Sequence, residues 1–318
     1  MTITEEKAEW RLSPDTDFIY NRFDLIFPSE SVLLTVRLDD NTYQIPVHFE
    51  DSTAKFGLWL SPAPAEVICE AAKYVFQNHP ALKIISFEHY LQDASAVWKQ
   101  QVSSSRNHWN IMLPGTAEEL DSRLSAKKRY NIKREKRLAR EQIADYEIVS
   151  FPAAEVPLGI IKQYFVFKQS GYGIDYHMTP AEYLTKYHVS HVYTLRFIQT
   201  REIGAIVCSC EQGDNVYLEN LTYNPELKKY SLGSILYDEY LKLLIQKKKR
   251  SLYLGYGQQV YKSLYGAEEH TTYTGKMYRS NIVYLQQEWL PNQKKRLIRK
   301  TKKILKKLDV FNLHSILR

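Results

Sequence analysis

Apolar positions recur along this chain in two rhythms, and the alternation between them predicts the elements. Ser31–Arg37 and Thr42–His48 read as strands, with Leu38-Asp39-Asp40-Asn41 as a hairpin turn between them. Lys55–Leu60 reads as a third strand. Pro64 then opens a helix to Asn78, with Val67, Ala71, Tyr74 and Val75 on one face. Leu82–Phe87 and His108–Leu113 are further strands, and Pro114-Gly115 stops the run. One long helix is expected over 117–142, with Thr116 and Glu119 spaced as a capping box. A second set of elements begins at Tyr146. Tyr146–Phe151 is a strand, and Leu158–Gln169 and Thr179–His188 are helices. Val192–Gln199 and Glu202–Glu211 form a hairpin through Thr200-Arg201, and Asn215–Tyr223 is the next strand. Helix 235–246, strand 251–256, helix 260–265 and strand 273–278 complete the order. Hairpin, helix and strand recur in both halves.

Composition narrows the class. The chain has 318 residues, 44% of them apolar and 25% charged, as in folded globular proteins. No run reaches the roughly 20 apolar residues of a membrane span. Residues 1–10 lack the basic start and apolar centre of a signal peptide. Three cysteines (Cys69, Cys208, Cys210) suggest no disulfide framework, so a cytoplasmic location is expected. Cys208 and Cys210 share a strand face, yet no nearby His or Cys set completes a zinc site; no metal is expected. The net charge of +7 is uneven. Residues 291–318 carry ten Lys or Arg against Asp309 alone, which leaves the rest of the chain slightly acidic.

Three landmarks carry more specific information. Leu113-Pro114 precedes a basic helix that includes Lys127, Lys128, Arg129, Lys133 and Arg134. Tyr230-Ser231-Leu232-Gly233-Ser234 is a small-residue turn just before a helix, where unpaired N–H groups and the helix dipole favour an anion. Tyr261-Lys262-Ser263-Leu264-Tyr265-Gly266 follows a strand. In this order and spacing the segment 113–279 resembles GNAT acyltransferases, specifically the branch associated with polysaccharide and cellulose biosynthesis. It is also similar to the tandem-GNAT, Fem-type aminoacyl-tRNA-dependent transferases. The resemblance implies an α/β (α+β) GNAT-like acyl-CoA N-acyltransferase fold, with two GNAT-like halves in tandem and mixed sheets flanked by helices. The expected domains are a degenerate GNAT-like half at 1–115, a catalytic domain at 116–290 entered through the basic helix, and a basic amphipathic helix at 291–318.

The same resemblance implies a site. Acetyl-CoA, as acyl donor, would lay its pyrophosphate on Ser231, Leu232, Gly233 and Ser234. Its carbonyl would meet backbone N–H groups of Leu221, Thr222 and Tyr223. The usual loop has Arg or Gln three residues before its first glycine and Gly or Ala after it; Tyr230 and Ser234 stand there in this chain. Transfer to an amine requires a base, a polarised carbonyl and a proton for the leaving group. Glu219 is the carboxylate within the strand and the candidate base, the alternative being an exposed strand position. Tyr261 and Tyr265 fall where similar enzymes protonate the departing thiolate, the alternative for either, among 24 tyrosines, being a packing role. Lys262 resembles a phosphate-contacting position of the Fem-like relatives; otherwise it is a solvated helix lysine. Tyr256, Arg129 and Lys133 complete the candidate substrate contacts. Asp175, Tyr176 and His177 lie in a loop able to cover an acceptor.

The reading is therefore an N-acyltransferase, most simply an N-acetyltransferase. Its acceptor amine would be that of a nucleotide- or lipid-linked amino sugar in bacterial surface-polysaccharide synthesis. A Fem-like enzyme using aminoacyl-tRNA as donor is the alternative. A third reading is a non-catalytic membrane- or nucleic-acid-binding protein that retains the fold. In the tail, Leu297, Ile304, Leu305, Leu308 and Phe311 share one helical face among lysines, the pattern of a peripheral helix on the inner face of an anionic membrane.

Overall fold

The computed structural model describes residues 1–7, 31–57, 63–90, 98, 101–256 and 260–307. Among them the strands are β1 (Thr2–Lys7), β2 (Val32–Leu38), β3 (Asn41–Glu50), β4 (Thr53–Phe56), β5 (Ile84–Tyr90), β6 (Gln101–Met112), β7 (Tyr146–Pro152), β8 (His191–Phe197), β9 (Ile203–Gln212), β10 (Asn215–Tyr223), β11 (Ser251–Tyr256) and β12 (Glu268–Tyr278). The helices are α1 (Ala65–Asn78), α2 (Ala117–Ser122), α3 (Ala126–Gln142), α4 (Leu158–Tyr172), α5 (Pro180–Lys186), α6 (Leu232–Gln246), α7 (Val260–Leu264), α8 (Asn281–Tyr284) and α9 (Leu290–Lys307). A 3-10 turn, Pro225–Tyr230, precedes α6, and a π turn, Leu285–Trp289, joins α8 to α9.

The chain forms two compact units. The first draws on Met1–Glu9, Phe27–Ser105 and Thr272–Arg318; the second includes Arg106–Thr271. In the first unit β1, β2, β3 and β4 are antiparallel neighbours. β5 then pairs parallel to β4, and β12 pairs antiparallel to β5. Helix α1 makes the crossover between the parallel pair and buries Val67, Ile68, Ala71, Ala72, Val75 and Phe76 against the apolar face of the strands. Tyr74 is only half-buried, because the apolar stripe turns toward Ile68, Ala72 and Phe76.

In the second unit β7, β8, β9 and β10 are antiparallel neighbours, β11 pairs parallel to β10, and β6 pairs antiparallel to β11. This repeats the pattern of the first unit strand for strand, with α6 as the crossover. One face of this sheet packs on α6 through Leu232, Ile235, Leu236, Tyr240 and Leu244. The other packs on α4 and α5 through Ile161, Tyr164, Phe167 and Tyr183, with Tyr176 stacked on Phe165.

Two local expectations change. The helix expected over 117–142 is broken at 123–125. The Ser125 side chain accepts from the Lys128 N–H and starts a new helix there, a cap that apolar periodicity does not register. At the first start, Thr116 accepts from the Glu119 N–H as expected, but the Glu119 carboxylate accepts from Gly115. The box is complete at α5, where Thr179 and Glu182 bond reciprocally and Pro180 leads the helix.

Candidate functional site

Strand β10 is the element around which the candidate residues of the second unit gather. Only its first three residues, Asn215–Tyr217, pair with β11; beyond them the two strands part. On its other side β10 follows β9 to Tyr223, with a bulge between Leu218 and Asn220. Glu219 is the extra residue of that bulge and is half-buried, not on a freely exposed strand face.

The backbone phase of β10 follows from one hydrogen bond. Asn224 N–H donates to Gly204 O at 2.8 Å, so alternate residues back along the strand turn their polar groups to β9. Thr222 is therefore engaged with β9, whereas the N–H and C=O groups of Leu221 and Tyr223 face the opening. Of the three sequence candidates for carbonyl contact, Leu221 and Tyr223 present amides there and Thr222 does not.

A residue absent from the sequence reading lies at this edge. Lys168, near the end of α4, is buried and its Nζ donates to Leu221 O at 3.3 Å. The rings of Tyr172 and Tyr164 flank it, with centroids 4.9 and 5.7 Å from Nζ. Burial lowers its pKa, offset only in part by Cys208. Its neighbour Cys208 is pushed the other way, up to about 12, chiefly by burial; the charges of Lys168 and Glu219 both reach it. A lysine at this helical position looks like an ordinary surface residue in sequence. The signal available was the apolar and aromatic frame around it: Tyr164, Phe165, Phe167 and Tyr172.

At the start of α6, Ser231 takes a left-handed conformation (φ 54°) and ends the 3-10 turn. Gly233 lies against Tyr223: a Cβ there would stand 3.1 Å from Tyr223 Cδ1. The first turn of α6 thus meets the end of the open edge, and Leu221, Tyr223 and Ser231–Ser234 form one neighbourhood. Leu232 and Gly233 are buried, whereas Ser234 is exposed.

Lys262 is not a solvated helix lysine. It is buried, its Nζ donates to Gly255 O at 3.2 Å, and burial lowers its pKa to about 8. Gly255 follows a bulge in β11 and has φ +67°. Each of the two parting strands thus has a backbone carbonyl held by a buried lysine.

The remaining candidates separate. The Tyr265 hydroxyl donates to Asp238 Oδ1 at 2.7 Å within the core of the second unit, and burial raises its pKa. Asp238 in turn receives Lys136 at 2.6 Å and Lys242 at 3.2 Å. Burial works against that carboxylate, but Lys136, Tyr265 and Lys242 hold its pKa below the ordinary value. Tyr265 is therefore tied into a network that joins α3 to α6. Arg129 turns its guanidinium onto the carbonyls of Leu124 and Asp121, closing the break before α3, while Lys133 is exposed. Lys127, Arg134, Arg137 and Arg140 are exposed on the same helix. Tyr256 ends β11 and Tyr261 lies in α7, but their side chains are outside the described residues. His177 is exposed, with Asp175 at 3.8 Å. Among the described residues no cluster of His, Cys, Asp or Glu is arranged to hold a metal.

Comparison with known proteins shows what this arrangement is similar to. Residues 126–263 match a family described as an acetyltransferase (GNAT) domain. No curated protein matches the chain. Solved structures similar to it include FemX, with a TM-score of 0.55 and 8% identity over 86% of this chain and 94% of that one. L-PGS from Bacillus licheniformis has a TM-score of 0.51 and 13% identity over 78% and 84%. The C-terminal domain of a candidate lysylphosphatidylglycerol synthetase from Agrobacterium fabrum has 0.51 and 8% over 81% and 88%. The fold is thus a mixed α/β fold of GNAT type, and these likenesses run across both units.

Proposed function

We propose that this protein is an acyltransferase that uses an aminoacyl-tRNA as donor and an amine as acceptor. The observation that carries the reading is the basic face of α3. Its inner lysine, Lys136, docks on Asp238 of α6, while Lys127, Lys133, Arg134, Arg137 and Arg140 are exposed. Such a row suits a nucleic-acid backbone, which a small thioester does not need. FemX and the lysylphosphatidylglycerol synthetases, whose likeness spans most of this chain, favour the same choice of donor. At the open edge, the amides of Leu221 and Tyr223 would receive the acyl oxygen as it gains charge. Glu219 would take the proton of the attacking amine, directly or through water. Lys262 and Lys168 would add positive charge in a desolvated setting.

Acetyl-CoA is the second reading. The acetyltransferase description of the matched segment and the contact of Gly233 with Tyr223 favour it. An amino sugar, free or carrier-linked, is an acceptor consistent with either donor. One experiment separates them: incubation with a mixed pool of labelled aminoacyl-tRNA, alongside calorimetric titration with acetyl-CoA. Binding of charged tRNA that weakens steeply with salt, with no heat from acetyl-CoA, supports the proposal. Saturable acetyl-CoA binding without tRNA binding replaces it by the second reading.

A further inference from the structure

Every residue from Trp289 to Thr301 is exposed, so α9 runs with no face covered along that stretch. This is unusual for a helix of its composition. Leu290 and Leu297 are one heptad apart, and Ile298 lies beside that line; Ile304 and Leu305 continue it by sequence. Lys295, Arg296 and Arg299 fall on the opposite arc. Leu290 and Leu297 are 54% and 67% exposed, and Trp289 just before them is 46% exposed. A lone helix of this length is marginal in water, and most helices gain their stability by covering an apolar stripe. Leu308 and Phe311, which the sequence pattern adds to the stripe, are outside the described residues.

The two arcs restrict what can cover the helix. A second copy of α9 would bring many like charges together. Nucleic acid would satisfy the cations but leave the leucines, isoleucine and tryptophan in water. No helix among the described residues is long and apolar enough to cross a bilayer, so a spanning role is excluded for α9. An anionic lipid surface answers both arcs at once, with acyl chains below the stripe and phosphates beside the cations.

We propose that α9 is a membrane-docking helix that lies in the plane of an anionic bilayer, inserting Leu290, Leu297 and Ile298 below its phosphates. The proposal does not depend on the identity of the acyl donor. Its test is flotation of the full chain with phosphatidylcholine vesicles, with and without phosphatidylglycerol. Wild type is expected to float only with the anionic vesicles. Leu297→Glu should lower the partition coefficient roughly tenfold or more, since it replaces a buried apolar group by a like-charged acid. Lys295→Gln and Arg299→Gln should each lower it about fivefold, and added salt should mimic them. All three positions are exposed, so circular dichroism of the variants should match wild type. Wild type that ignores anionic vesicles, or Leu297→Glu that floats as wild type, overturns the proposal. So does a tRNA gel shift abolished by Arg299→Gln in the absence of vesicle binding, which would make nucleic acid the partner. A dimer lost in Leu297→Glu, again without vesicle binding, would make it a second copy.

Discussion

The two units have the same strand pattern, yet their parallel pairs end differently. In the first unit β4 is in register with β5 over its whole length, from Thr53 to Phe56. In the second, β10 continues six residues past its last pairing with β11 and is bulged at Glu219. The crossover helices differ in the same sense. The first turn of α1 carries Glu66, which neutralises its own dipole; the first turn of α6 carries no acid and opens on Ser231 and Gly233. The buried polar groups follow suit. Among the described residues the first unit buries Ser31 and Thr272, neither charged, whereas the buried polar residues of the second include the charged Lys168, Lys262 and Asp238. Burying an ammonium costs free energy that a carbonyl contact only partly offsets. The fold accepts that cost twice beside the parting strands of the second unit, and among the described residues its twin buries no lysine.

That contrast can be broken or sharpened by experiment. The largest effect is expected from Gly233→Asp, which gives α6 the acidic first turn that α1 already has. On the second reading acetyl-CoA binding should be lost, because the acid occupies the anion position and crowds Tyr223, whereas tRNA binding through α3 should persist. Calorimetry or a gel shift reads the result, and unchanged affinity would remove α6 from the site. Glu219→Gln should lower turnover about a hundredfold with little change in donor affinity, if the bulge exists to aim a base. A loss of only a few-fold would make the bulge a purely structural feature. Lys168→Met should lower turnover about tenfold while raising the unfolding midpoint by a few degrees, since an apolar side chain removes a desolvated charge. Stability and turnover falling together would instead make Lys168 a packing residue.

The smallest effect concerns the Asp238 network of the second unit, which has no counterpart among the described residues of the first. Tyr265→Phe should cost about 2 kcal/mol in urea unfolding, through the lost bond to the Asp238 carboxylate, and leave turnover nearly intact. Turnover that collapses at unchanged stability would restore Tyr265 as a proton donor. Because the folded pKa of Asp238 is depressed, its contribution is complete above the unfolded value near 3.8 and fades as pH falls through the folded value. Acid unfolding of Lys136→Met should therefore begin at higher pH than that of wild type.

What could be read in advance was local. The Thr179-Pro180 start, the hairpin through Thr200-Arg201 and the turn before α6 all follow from residues within a few positions of each other. The landmarks around Ser231–Gly233 and Lys262 were visible for the same reason. Lys168 was not, because a helix sequence does not say that its last turns meet the open side of a strand some fifty residues later. Arg129 shows the converse. In sequence it belongs to a basic row, but in space the break before α3 draws it onto backbone carbonyls. The parting of β10 from β11 is equally non-local; nothing in Leu218–Tyr223 announces that its neighbour leaves.

The interleaving of the units also bears on synthesis. Residues 106–271 leave the ribosome as a continuous stretch and can pair β6 with β11 and complete their strands at once. The first unit has to wait. Its β5 keeps one edge unpaired until Tyr273–Tyr278 emerge, nearly two hundred residues after Ile84. During that interval the nascent chain carries an apolar strand edge of the kind that recruits other chains. A chain released early, after 271, would carry that edge permanently, so premature termination there should send the product to chaperones or aggregates even though the unit with the proposed site has been synthesised.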